Sequence, residues 1–174
     1  MKKIVLVYGS IAGSVVAAMG VITTAIYCNS GDFSNGMIVG YTSMIIAFSM
    51  VFVGVKVFRD KYNGGVISFG KAFKVGILIT LLASTFYVVT WLINYTFFVP
   101  DFGTKYAAHV IDGLKASGAT QAEITKQSDE LAHFAEMYKN PFFNAAMTYM
   151  EILPVGLLVT LISAFALKRK PVNN

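Results

Sequence analysis

Four long stretches of the chain are apolar at most positions and almost free of charge. Residues 4–31, 33–55, 75–100 and 140–167 together carry one acidic or basic side chain, Glu151. A helix rises 1.5 Å per residue, so about 20 apolar residues cross a hydrocarbon core ~30 Å thick. The pattern predicts four membrane spans, approximately Ile4–Tyr27, Met37–Phe58, Val75–Val99 and Pro141–Leu167. Between the third and fourth the pattern changes. Tyr106, Val110 and Leu114 recur at helical spacing, with Ile111 beside them, and predict an amphipathic helix over 103–117 stopped by Gly118. Thr120 followed by Glu123 is a capping box, after which Ile124, Leu131, Phe134 or Ala135, and Tyr138 continue a second amphipathic helix.

The expected fold is therefore all-α: one membrane domain over 1–174, an integral four-helix bundle with a helical hairpin insert at 100–140. About 40 residues build no independent core, so the insert must pack on the bundle, on lipid or on a partner. Composition agrees: 56% of the 174 residues are hydrophobic and 13% charged, where a soluble domain has about 25% charged residues. The first span begins with Lys2-Lys3, as a signal peptide would. Its uncharged run outlasts a signal core of about 7–15 residues, so it is expected to be retained.

Charge placement orients the bundle. Ten basic residues (the lysines and arginines at 2, 3, 56, 59, 61, 71, 74 and 168–170) flank one side, and Lys105, Lys115, Lys126 and Lys139 the other. Basic residues in short loops remain cytoplasmic, which places both termini and the 59–74 loop inside and makes the hairpin extracytoplasmic. The net charge of +5 then reflects topology, and no nucleic acid is needed to explain it.

Apolar faces drive little association in lipid, so close approach through small residues matters more. Gly9, Gly13 and Ala17 form one stripe on the first span, and Gly40, Ala47 and Gly54 another on the second. These predict helix contacts within the bundle, with a homodimer seam as the other use of the same stripes. Ser68, after the turn Asn63-Gly64-Gly65, is placed to cap the third helix.

Glu151 is the candidate for function. Ten residues from Pro141 place it ~15 Å deep, near mid-bilayer, where an acid costs about 3 kcal/mol. It is expected to face the bundle interior, protonated or hydrogen-bonded. Pro154 removes a backbone donor and frees the carbonyl of Met150 beside it. The same depth on the third span holds Thr90 and Trp91, with Asn94 slightly higher and Tyr87 slightly lower, and on the second span it lies between Ser43 and Ser49. Glu151, Pro154, Thr90 and Asn94 thus form the expected polar group. It would serve either as interhelical glue and partner contact, or as the proton or cation site of a small transporter. A transporter usually brings more intramembrane ionisable groups, or a pair of broken helices, so the structural or accessory role is preferred. No serine, cysteine, histidine or second carboxylate is spaced to work with Glu151, so no enzyme activity is expected.

Three other motifs carry little. Residues 65–72, GVISFGKA, follow the phosphate-loop pattern until Ala72 stands where Ser or Thr would hold magnesium, so no nucleotide is expected. His109 lies near Asp112, and His133 near Asp129 and Glu136, but neither helix has a second histidine; solvated faces are expected, with no metal and no cofactor. The lone Cys28 reads as a small apolar filler.

The stretches KKIVLVYGSIAG, GYTSMIIAFSMVFVGVKVFRD, NGGVISFGKAFKVGILI, KASGATQAEI and NPFFNAAMTYMEILPVGLLVTLISAFALKRK resemble the bacterial membrane-protein family termed domain of unknown function 4199. The FRD, NGG and FGKAF run and the EILPVGLL segment are the most specific parts, and the resemblance covers about Lys2 to Lys170. It implies a bacterial inner-membrane protein of four spans with an outer insert, and no activity or catalytic residue. The expected partners are the lipid bilayer and a second membrane protein or a second copy of the chain.

Overall fold

The computed structural model describes residues 1–170. Six α-helices make up the fold: α1 (Lys2–Ser30), α2 (Gly36–Val57), α3 (Phe69–Phe97), α4 (Phe102–Ala116), α5 (Gln121–Tyr138) and α6 (Pro141–Leu167). One wide helical turn, Phe58–Tyr62, extends α2. α1, α2 with its extension, α3 and α6 are long and apolar enough to cross a membrane, the architecture of a multi-pass membrane protein. α3 packs between α1 and α6, and α2 packs on the same two helices from the opposite side, giving the circular order α1, α2, α6, α3.

The bundle centre is close-packed. Phe48, Val51 and Val55 of α2 meet Val75 and Ile79 of α3 and Ile152 of α6, all fully buried. Their contacts depend on glycines at three crossings. A Cβ on Gly13 would lie 2.6 Å from Phe86 Cβ, and one on Gly9 2.7 Å from Leu82 Cδ2, so α1 approaches α3 along the predicted stripe, on which Ala17 is also buried. A Cβ on Gly54 would lie 2.6 Å from Ile79 Cδ1 and 3.1 Å from Tyr8 Cβ, and Ala47 is 1% exposed. Gly156 lets α6 come against Thr80 and Phe48.

Gly40 departs from this pattern. A Cβ there would meet nothing within 4 Å, and the residue lines a cavity. Spacing of seven residues puts Gly40 on the face of Ala47 and Gly54, but α2 has no neighbour against it at that height. The α1 stripe, for its part, is filled by α3, so Gly9 and Gly13 are no free seam for a second copy.

The helix ends follow the local chemistry. Ser68 accepts the backbone N–H of Lys71 at 3.3 Å, so α3 begins at Phe69, six residues before the expected span. The residues of the phosphate-loop pattern are used structurally. Ile67 and Arg169 exchange backbone hydrogen bonds of 3.0 and 2.9 Å, and the Lys71 ammonium bonds Asn63. This end of the molecule is thereby tied to the end of α6, where the Arg59 guanidinium also donates to the Leu167 carbonyl. At the opposite end, Asn140 accepts from Phe142 and Phe143 N–H groups and Pro141 opens α6. Thr120 and Glu123 complete the capping box of α5, and Gly118, at φ 78°, ends the α4 segment.

Candidate functional site

A cavity of about 600 Å³ lies between the α4 side of the bundle and α4 itself. Its walls come from each of the four long helices: Gly20 and Tyr27 from α1, Gly40 and Tyr41 from α2, Tyr87 and Trp91 from α3, Thr148 and Glu151 from α6. α4 covers it with Phe102, Tyr106 and His109, and Tyr138 closes it from the end of α5.

The short connection from α1 to α2 builds one wall. Gly31, at φ 71°, ends α1 with its N–H on the Tyr27 carbonyl at 2.8 Å. The Asp32 carboxylate then accepts the Ser34 hydroxyl and, at 2.9 Å, its backbone N–H; these bonds, in that order, hold its carboxyl below the usual range. The tight turn sends Phe33 inward. Its ring is 8% exposed and lies 5.7 Å from Phe102, 5.8 Å from Tyr106 and 5.7 Å from His109. Trp91 meets Phe102 edge-on at 5.2 Å, and Tyr95 meets Tyr138 at 5.4 Å. The α4–α5 pair is thus fastened to the bundle by aromatic rings.

Burial pushes the Tyr138 phenol above its ordinary range. Glu151 itself departs from expectation. It is exposed, outside the packed interior, and opens on the α4 cavity and on a second cavity of about 540 Å³ beneath α5. Among the described residues no ion pair reaches its carboxylate, and no hydrogen bond to it is present. The buried stripe of α6 runs through Asn144, Thr148, Ile152, Gly156 and Thr160, and Glu151 stands just outside it. The rise per residue fixes the height of Glu151 along α6 but not the direction in which its side chain faces. Pro154, one turn on, is exposed as well.

The rest of the expected polar group is divided. Thr90 and Asn94 line another cavity, of about 520 Å³, on the side of α3 toward Cys28 and Ala25 of α1. Tyr87, Trp91 and Tyr95 repeat every four residues on the face of α3 toward Glu151. The right height was therefore paired with the wrong side of the helix. Polar side chains that do enter the packed interior are uncharged: Thr80, Ser84, Asn144, Thr148, Thr160 and Ser163 are each 2% exposed or less. A hydroxyl can bond a carbonyl of its own helix, as Thr148 does with Asn144 at 2.8 Å, and so enters a core at little cost, whereas an ionised acid cannot.

The aromatic lining went unread in the sequence because its members lie on five helices and a loop. The one available signal was local: tyrosine and tryptophan at every fourth position of α3. His109 lines the cavity, His133 is exposed on α5, and no group of three metal-ligating side chains occurs among the described residues. No curated protein and no solved structure matches this chain. The family model described as Protein of unknown function (DUF4199) matches residues 7–169, nearly the whole length, and the chain belongs to that family.

Proposed function

We propose that this chain is a non-enzymatic accessory protein of a bacterial inner membrane, with both termini in the cytoplasm and the α4–α5 pair on the extracytoplasmic face, where it engages a membrane partner. The observation that carries this reading is the state of that pair. α4 and α5 are amphipathic, yet not one of their residues is buried. Tyr106, Phe134 and Met137 remain 43%, 39% and 37% exposed. A segment that packs one edge on the bundle and leaves aromatic and methionine side chains uncovered has apolar surface to offer a second surface. The charge asymmetry of the flanking segments supports the orientation.

The test is purification in mild detergent with crosslinking from position 134. A partner in fixed stoichiometry, lost on replacing Phe134 and Met137 by Ser, supports the accessory role. A monomer with no crosslink from that position overturns it.

A further inference from the structure

The α4 cavity has a chemistry that the accessory role does not use. Its lining includes one carboxylate, Glu151, one histidine, His109, and no lysine or arginine. The basic residue nearest in sequence on α4, Lys105, lies outside it and is paired with Asp101 at 2.9 Å. An acid in a membrane-spanning segment without a partner leaves charge uncompensated. The same cavity is lined by the rings of Tyr41, Tyr87, Trp91, Phe102, Tyr106 and Tyr138. Aromatic faces attract cations, most strongly those that are large and weakly hydrated. A bare metal ion would require several oxygen ligands close together, and the cavity supplies one carboxylate in a space of about 600 Å³, the size of a small organic molecule. The cavity beneath α5 shares Tyr41, Phe102, Tyr106, Tyr138 and Glu151 with the first, and adds apolar walls from Leu131, Met147 and Met150. A ligand with its charge at Glu151 has apolar space on one side and an aromatic chamber on the other.

We propose that this paired cavity is a binding site for an organic cation, an alkylammonium group with Glu151 as counter-charge and the surrounding rings as its walls. The group has two sources, a free amine or the ammonium of a lipid headgroup. The site rests on the cavity lining and stands whether or not the α4–α5 pair has a protein partner.

Trp91 is the sole tryptophan of the chain and lines the cavity, so its fluorescence reads occupancy directly. The full-length protein in phosphatidylglycerol nanodiscs is titrated with choline and, separately, with 3,3-dimethylbutan-1-ol, its uncharged carbon isostere. The expected result is a saturable change with choline, a response at least tenfold weaker with the isostere, and at least tenfold weaker choline binding in Glu151→Gln. Equal responses to both compounds in the wild-type protein, or no saturable response to choline, overturn the proposal even if the variant fails to fold. An unchanged choline response in a folded Glu151→Gln also overturns it. Adding phosphatidylethanolamine to the discs separates the sources: competition with choline identifies a lipid headgroup, and an unchanged response identifies a free amine.

Discussion

The Thr80 hydroxyl of α3 and the Thr160 hydroxyl of α6 lie 3.0 Å apart at the fully buried centre of the bundle, and Thr80 is also 3.3 Å from the Gly156 carbonyl. This is the interhelical polar contact that Glu151 was expected to make. A hydroxyl pair inside a membrane bundle contributes about 0.6 kcal/mol and at most about 1.7. Thr160→Val should therefore destabilise the bundle by about 0.5–1 kcal/mol, since Thr80 keeps the Gly156 carbonyl, and Thr80→Val should cost more. A double-mutant cycle in unfolding titrations measures the coupling. A coupling of zero would mean that the two hydroxyls do not bond each other.

Two glycines chosen by the same sequence pattern should respond in opposite ways. Gly13→Ala places a methyl against the Phe86 side chain of α3, where a Cβ would fall 2.6 Å from Phe86 Cβ. Overpacking of this kind costs about 1–3 kcal/mol. Gly40→Ala meets nothing within 4 Å and gains helix propensity of up to about 1 kcal/mol. Thermal unfolding in detergent should show a lowered Tm for the first and an equal or raised Tm for the second.

The capping box of α5 should be sensitive to acid. Glu123 accepts the Thr120 backbone N–H and hydroxyl, each at 2.8 Å, and these bonds, the backbone one foremost, hold its carboxyl below the usual range. A depressed folded-state value means the stabilisation is whole above the ordinary glutamate value, about 4.3, and is lost as pH falls through the lower folded one. Amide protection at the start of α5, corrected for intrinsic exchange, should drop over that acid window. Glu123→Gln, which keeps an acceptor without a titrating charge, should remove the step.

Reporter fusions check the orientation. A fluorescent protein inserted after Tyr62 should be bright, and alkaline phosphatase inserted after Gly118 should be active, because basic residues crowd the first side. Activity of the phosphatase at Tyr62 would invert the assignment.

Much of the fold was legible because it rests on local patterns. A run of apolar residues needs no knowledge of its neighbours to be a span, and α6 begins and ends at the expected Pro141 and Leu167. Thr120 with Glu123, and Ser68 before α3, are contacts over three residues, so spacing alone identifies them. The small-residue stripe of α1 was also readable, although its partner, α3, was not.

What residues 1–170 determine by themselves is thus height: where each helix starts, how far it reaches, and which side chains share a level of the bilayer. Facing was decided only by packing. Transmembrane helices apolar on all sides carry no stripe to say which way they turn, so Thr90 and Asn94 turned toward α1, Tyr87 and Trp91 toward Glu151, and Gly40 toward open space. Glu151 was marked by the sequence as the one charge in four long apolar stretches, 4–31, 33–55, 75–100 and 140–167. The rings that line its cavity were brought together only when helices distant along the chain met.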